Sequence, residues 1–149
     1  MKGSKNRLHL CVTLVVINLL FIWGNSLMPG SVSKAFSSWV RELLSGILGP
    51  GTPGSDSGDG LLRKLAHVTE FTCLGMLLTW LISILRGKPY WVLAGGCLAA
   101  LADEAIQYFV PGRNAALRDV CIDMAGIAIG LLLFWVLWAV CRLDKRRKA

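Results

Sequence analysis

The sequence predicts an all-α membrane protein, a bundle of four transmembrane helices with an additional amphipathic interfacial helix between the first and second spans. Three observations predict this class. Apolar residues make up 54% of the 149 residues and the mean hydropathy is +0.58, which is more than a soluble domain needs to fill its core. Four apolar segments are long enough to cross a bilayer. Basic residues lie at the chain ends and in short loops between these segments, which is typical of membrane topology.

The length and composition fit a single membrane domain over residues 1–149. The chain has 16 Lys and Arg against 9 Asp and Glu, and a formal net charge of +7. Because no basic patch is interleaved with aromatic residues, we expect contact with anionic membrane lipids and no nucleic-acid partner. The five cysteines share no CxxC or CxxH spacing, so we expect small buried apolar residues rather than a disulfide framework or a zinc site.

The first span is expected at about residues 8–28, where Pro29-Gly30 stops the helix, and no small-x-small cleavage site follows it. Residues 33–48 then predict the amphipathic interfacial helix, with a helix packed on the bundle as the alternative. Its apolar stripe consists of Phe36, Trp39, Val40, Leu43, Leu44 and Ile47. Residues 49–60 are rich in Gly, Pro and Ser and predict a flexible loop.

The remaining spans are expected at about residues 65–85, 90–109 and 119–141. Pro111-Gly112 ends the third of the four spans. The fourth contains Gly126 and Gly130, a GxxxG spacing that lets a neighbouring helix approach closely and could build a homo-oligomer.

The positive-inside rule orients these spans with both termini in the cytoplasm. Ten basic residues then lie inside: Lys2, Lys5, Arg7, Arg86, Lys88, Arg142, Lys145, Arg146, Arg147 and Lys148. Six lie outside, diluted over a longer loop: Lys34, Arg41, Arg63, Lys64, Arg113 and Arg118.

With this topology, polar side chains of three spans fall at their outer ends. They are His67 and Glu70 of span two, Asp103, Glu104 and Gln107 of span three, and Asp119 and Asp123 of span four. An ionisable side chain inside a spanning helix costs roughly 2.5 to 3.5 kcal/mol on insertion scales. The cluster therefore predicts a polar site that is lined by protein at the outer face.

Two kinds of chemistry fit this cluster. His67 could act as a general base oriented by Glu70, with Arg113 holding a phosphate or carboxylate bidentately. Alternatively, several acids and one His could hold a divalent cation that clamps a pyrophosphate. The structural alternative is a set of ion pairs that fix helix register. The sequence alone designates neither a cofactor nor particular metal ligands.

We therefore predict His67, Glu70, Asp103 and Glu104 as candidate catalytic residues, and leave open whether the protein is an enzyme. Candidate substrate-binding residues are Lys64, Gln107, Arg113, Asp119 and Asp123.

Three motifs are more specific than the general pattern: NSxxPG at residues 25–30, KxxHxxEF at 64–71 and DExxQxFxPGR at 103–113. Together with Asp119 and Gly126 they resemble the VanZ-like family of bacterial membrane proteins. This resemblance implies a multi-pass membrane protein with a role in tolerance to the glycopeptide teicoplanin. It adds Ser26 to the candidate binding residues. Position 123 departs from the family, which commonly has Asn where this chain has Asp123, and the extra acid favours a protonated carboxyl or a bound cation.

Three functional hypotheses follow. The first is a site at the outer leaflet that acts on a lipid-linked envelope precursor or an anionic head group. The second is a non-catalytic interaction protein that limits antibiotic access through the helix at 33–48. The third, ion- or proton-coupled transport, is weaker because the inner halves of the spans carry only scattered Ser, Thr and Asn.

Overall fold

In the computed structural model, the described residues form helices joined by short connections or by segments outside the description. The structure describes residues 2–48, 60–113 and 116–147. They form five α-helices: α1 (Lys2–Ser26), α2 (Gly30–Leu48), α3 (Gly60–Ile84), α4 (Tyr90–Tyr108) and α5 (Leu117–Arg147). No strand occurs among these described residues, so the expected all-α class is confirmed.

Three segments are long and apolar enough to cross a membrane: Ser4–Ser26, Leu62–Ile84 and Leu117–Asp144. The sequence predicted a fourth span in the region of α4, and the structure has a helix there. However, Asp103, Glu104 and Gln107 reduce the apolarity of α4, and this helix is not among the three.

The helix bounds differ from the predicted ones by a few residues. α1 begins at Lys2 and ends at Ser26, because the chain turns before Pro29 rather than at it. α2 starts three residues earlier than expected, α3 includes Gly60, and α5 extends to Arg147. The predicted loop at residues 49–60 lies, apart from Gly60, outside the described residues.

The core lies between α1, α3, α4 and α5, and the largest interface joins α3 to α5. Ile127 of α5 is fully buried between Gly75 of α3 and Gly96 of α4. A Cβ added at Gly75 would lie 2.5 Å from the Ile127 carbonyl oxygen, and one at Gly96 would lie 2.7 Å from its side chain. Close packing of these three helices therefore depends on missing side chains.

The GxxxG pair of α5 makes the close approach that its spacing permits, and it does so to α3. A Cβ at Gly126 would lie 2.8 Å from the Val68 carbonyl oxygen, and one at Gly130 would lie 2.8 Å from the Met76 nitrogen. A homo-oligomer through the same glycines would have to displace α3. Oligomerisation itself stays a prediction.

α2 contributes little to this packing. In the predicted apolar stripe, Phe36, Trp39 and Leu43 are exposed and Val40 is half-buried, while Ser37 on the other face is buried and donates to the Ser33 carbonyl oxygen. The side chains of Leu44 and Ile47, which the sequence assigns to the same stripe, lie outside the description.

The cysteines are free, but the expectation that all of them are buried was wrong. Only Cys11 is fully buried, Cys97 is half-buried, and Cys73, Cys121 and Cys141 are exposed. Small apolar residues therefore also occur on the outward faces of α3 and α5.

Candidate functional site

Polar side chains from four helices meet at one end of the bundle. The C-terminal ends of α1 and α4 lie there beside the N-terminal parts of α3 and α5. The residues that come together are Asn25, Ser26, His67, Glu70, Asp103, Glu104, Gln107 and Asp123. The polar residues that the sequence singles out on α3, α4 and α5 thus lie together, with Asn25 and Ser26 of α1 beside them.

His67 stands between two buried aspartates. Its Nδ1 lies 3.7 Å from Asp103 Oδ2 and 3.6 Å from Asp123 Oδ1. Asp103 is fully buried and Asp123 is 1% exposed. On its other side the imidazole stacks on the Phe71 ring, with ring centroids 6.4 Å apart. These distances exceed a hydrogen bond, so the three groups are close without being bonded to one another.

Gln107 connects the aspartate pair to α1. Its side-chain amide donates to Asp103 Oδ2 across 2.7 Å and to the Ser26 hydroxyl across 3.3 Å. Ser26 is fully buried, and Gln107 is nearly so. The i, i+4 spacing of Asp103 and Gln107 on α4 allows the first bond, and it fixes the orientation of the Asp103 carboxylate.

The two glutamates of the site have different partners. Glu70 Oε1 accepts a hydrogen bond from Asn25 Nδ2 across 2.8 Å. Glu104 Oε2 accepts one from the Ala116 backbone N–H across 2.8 Å, immediately before α5 begins. Such a bond satisfies a backbone donor that the start of a helix leaves without a partner. Glu104 therefore also positions the start of α5.

The hypothesis that Glu70 orients His67 was wrong. Residues 67 and 70 share a face of α3, but Glu70 is occupied by Asn25, whereas the carboxylates nearest to His67 come from α4 and α5. Neighbours on adjacent helices reach the imidazole more closely than a neighbour one turn away on the same helix.

Arg113 belongs to the connection between α4 and α5, and its side chain is buried. Its Nε donates to the Met28 carbonyl oxygen across 3.1 Å, and its Nη2 donates to the Asn25 carbonyl oxygen across 2.7 Å. Burial lowers the pKa of the guanidinium, although its ordinary pKa is high enough to keep it charged. With two of its nitrogens bound to backbone, Arg113 does not offer the bidentate grip on an anion that the sequence suggested. Only Nη1 lacks a partner.

Basic side chains lie at the mouth of the site. A small pocket next to the aspartates is lined by Arg63, Lys64, His67, Glu104, Gln107, Asp119, Ile122 and Asp123. Lys64 and Asp119 are thus at the rim, as part of the predicted set. Arg118 is exposed. Asn114 and Ala115, which follow Arg113, lie outside the described residues.

A family model described as VanZ/LLP1 matches residues 6–138. The chain belongs to the VanZ-like family. The uncharacterized membrane protein YwnJ of Bacillus subtilis is 34% identical over 90 residues, which cover 60% of this chain and 56% of that protein. The match thus spans little more than half of this relative's length. No solved structure matches the chain. Together with the three apolar helices, the family and this relative show that the chain is a membrane protein.

In this VanZ-like chain the three motifs meet in space. Asn25 and Ser26 of the first motif bond to Glu70 of the second and Gln107 of the third. His67 of the second lies beside Asp103 of the third. The backbone of the first and third is also joined, because the Gly30 N–H donates to the Pro111 carbonyl oxygen across 3.1 Å.

Two residues of the site were missed by the sequence reasoning. Asn25 begins the first motif of the VanZ-like pattern and lies near the end of an apolar helix. It was missed because Glu70, its hydrogen-bond partner, is 45 positions away in the sequence. Arg63 was considered only as part of the charge balance. Its position next to Lys64, one turn before His67, was the signal that could have identified it.

Proposed function

We propose that this VanZ-like protein binds the anionic head group of a lipid-linked envelope component at the outer face of the bacterial cytoplasmic membrane. The observation that carries the proposal is the concentration of buried, unpartnered polar atoms at one end of the bundle, beside the basic side chains of Arg63 and Lys64. Apart from Asn18 Oδ1, all such atoms of the described residues belong to His67, Glu70, Asp103, Glu104, Arg113, Asp119 and Asp123. Buried polar atoms normally have partners, so atoms left without one point to a ligand or to water.

The proposed membrane arrangement has four spans, α1, α3, α4 and α5, with α2 in the head-group region and both termini in the cytoplasm. Nineteen residues give α4 a length of about 28 Å, close to the hydrocarbon thickness of a bilayer. Its polar residues Asp103, Glu104 and Gln107 are buried against the bundle, so they need not face lipid. The exposed Phe36, Trp39 and Leu43 of α2 suit an interfacial helix.

A lipid-linked ligand is favoured over a soluble anion by an apolar cavity near the polar site. This cavity, of about 230 Å³, lies between α1, α3 and α4 and is lined by Leu19, Trp23, Leu74, Leu78, Gly95, Leu98, Ala99 and Ala102. Leu74 lies one helical turn beyond Glu70, and Ala99 lies one turn before Asp103. A head group at the polar site would therefore leave its hydrocarbon chain beside an apolar groove.

The direct test measures binding of lipid phosphates by the purified full chain in nanodiscs. We expect a polyprenyl phosphate and phosphatidylglycerol to bind more tightly than zwitterionic phosphatidylcholine. Removing two basic residues at the mouth, Arg63→Ala with Lys64→Ala, should weaken binding about tenfold or more, because each basic residue near an anionic membrane contributes about 1 kcal/mol. The matched control is Arg86→Ala with Lys88→Ala, which removes the same charges in the turn between α3 and α4. Equal losses in both pairs would contradict the proposal.

The associated phenotype is tolerance to teicoplanin. We expect expression of the wild-type chain in a susceptible bacterium to raise the inhibitory concentration of teicoplanin, and His67→Ala or Asp103→Ala to abolish this effect at normal membrane levels. Unchanged tolerance in both variants would contradict a role for the polar site.

A second candidate is a non-catalytic protein that limits antibiotic access through α2, and the exposed Phe36, Trp39 and Leu43 favour it. Replacement of these three side chains by Ser would then abolish tolerance, while variants of His67 and Asp103 would retain it. The opposite result supports the polar site.

A further inference from the structure

Three donor groups from three different helices converge within the polar site. His67 of α3, Asp103 of α4 and Asp123 of α5 each present one atom, an imidazole nitrogen or a carboxylate oxygen, and all three atoms lie within 4.8 Å of one another. The helices that carry them are packed together around Ile127. The set is therefore held by the bundle itself and not by a loop.

The same three groups carry buried atoms that no protein group satisfies. Asp103 Oδ1, Asp123 Oδ2 and His67 Nδ1 are inaccessible to solvent and form no hydrogen bond. Asp103 and Asp123 are themselves at least 99% buried. Within the described part of the chain, neither aspartate forms an ion pair with Lys or Arg, and His67 is the only basic group at that range. Two carboxylates without a cationic partner are costly in such surroundings.

The spacing of the donors suits a metal ion. Ligand atoms about 2.0 to 2.3 Å from a common ion lie roughly 3 to 4 Å from one another. The observed separations of 3.6 and 3.7 Å from His67 Nδ1 to the two carboxylates match this range. Gln107 donates to the Asp103 carboxylate across 2.7 Å, and hydrogen bonds of this kind orient the ligands of metal sites.

We propose that His67, Asp103 and Asp123 bind one divalent transition-metal ion, and that Zn²⁺ or Mn²⁺ suits this set of ligands. Two carboxylates balance the charge of such an ion, and a neutral imidazole completes a mixed nitrogen and oxygen set. Mg²⁺ suits the set less well because it prefers oxygen ligands and keeps several waters. His67 and Asp123 line the same small pocket as Arg63 and Lys64, so an oxygen of an anionic head group bound there would complete the coordination of the ion. That last step rests on the proposed function, whereas ion binding does not.

The test uses the purified full chain, stripped with a chelator, reloaded with Zn²⁺ or Mn²⁺ and passed through gel filtration before elemental analysis. We expect one ion per wild-type chain. Asp123→Asn keeps the shape of the side chain and removes one charged ligand. It should therefore lower the affinity for the ion at least tenfold, as measured by titration calorimetry. Asp144→Asn in the last turns of α5 is the matched control and should bind like the wild type.

Substitution by Co²⁺ gives a second readout, because its visible absorption in the wild-type chain reports the ligand set directly. We expect a visible absorption band from Co²⁺ in the wild-type chain that changes in intensity in His67→Gln. A wild-type chain that retains no stoichiometric ion would overturn the proposal, and so would equal affinity in Asp123→Asn and Asp144→Asn. Binding of the ion without any binding of polyprenyl phosphate would instead overturn the proposed function and leave the metal site intact.

Discussion

The side-chain amide of Asn25 donates to Glu70 Oε1 across 2.8 Å, which ties the end of α1 to α3. The next residue, Ser26, accepts from Gln107 of α4, and the Asn25 carbonyl oxygen accepts from Arg113. Two consecutive residues of α1 thus reach every other element of the site except α5. The end of α1 therefore positions the site, although α1 contributes no ionisable side chain to it.

Asn25→Ala should destabilise the bundle. Glu70 Oε2 already lacks a partner, so the substitution leaves both oxygens of a half-buried carboxyl group without a hydrogen bond. A lost bond of this kind costs about 1–3 kcal/mol. We expect a lower thermal midpoint in detergent.

A double-mutant cycle with Glu70→Ala supplies the control. If the two side chains stabilise the protein through each other, Asn25→Ala should have a much smaller effect in the Glu70→Ala background. Equal effects in both backgrounds would mean that the hydrogen bond does not contribute.

Gly30→Ala should disrupt the contact between the first and third motifs. A Cβ at residue 30 would lie 2.7 Å from the carbonyl carbon of Gly112 and would also overlap its carbonyl oxygen. Both are backbone atoms, which cannot rotate away from the new Cβ as the end of a flexible side chain would. We expect loss of folded protein in size-exclusion chromatography.

Gly24→Ala is the matched control for this prediction, because a Cβ there has no neighbour within 4 Å. In the interior of α1, Ala should be neutral or stabilise by up to about 1 kcal/mol. Similar losses from both substitutions would show that packing at Gly30 is not the cause.

Much of this fold follows from the sequence, because apolar segments of sufficient length and the Pro-Gly breaks determine where the helices lie. The number of membrane spans does not follow from the sequence in the same way, and the reason is physical. Asp103, Glu104 and Gln107 reduce the apolarity of α4 and are buried only through contacts with other helices. A residue pattern within one segment does not contain those contacts.

The site was predictable as a set of residues but not as a set of partners. Helical spacing correctly brings Asp103 and Gln107 together, because both lie on one helix. It wrongly paired His67 with Glu70, since the rotation of α3 relative to α4 and α5 decides which carboxylates approach the imidazole. Likewise, the sequence did not indicate that Arg113 bonds to the backbone of α1 and Met28, because those carbonyl oxygens are 88 and 85 positions away.

Gly130→Ala should separate α5 from α3. A Cβ at this position would lie 2.8 Å from the Met76 nitrogen and would overlap the Thr72 carbonyl oxygen, both on the α3 backbone. Backbone atoms cannot rotate away as a side chain does, so the helices must move apart at a cost of about 1–3 kcal/mol. Thermal unfolding in detergent measures this loss.

The comparison is Gly95→Ala on α4, where the nearest atom to a new Cβ is Leu78 Cδ1 at 3.6 Å, an ordinary contact. We expect no more than a small change there. A tolerated Gly130→Ala would contradict the close packing of α3 on α5.

Arg113→Lys separates the two roles that Arg113 can have. The guanidinium bonds two carbonyl oxygens at once, through Nε to Met28 and through Nη2 to Asn25. A lysine keeps the charge but ends in a single nitrogen and lacks the planar fork. If Arg113 positions α1, Arg113→Lys should lower the thermal midpoint, with a loss of about 1–3 kcal/mol for the bonds that are not remade.

Arg118→Lys is the control for this exchange, because Arg118 is exposed in the first turn of α5 and should tolerate it. Binding of polyprenyl phosphate, measured on the same samples, distinguishes the alternative. If Arg113→Lys leaves both stability and binding unchanged while Arg113→Gln abolishes binding, Arg113 acts through its charge on the anion. Loss of stability in Arg113→Lys, with binding reduced in proportion to the unfolded fraction, assigns it instead to holding the end of α1 against the connection between α4 and α5.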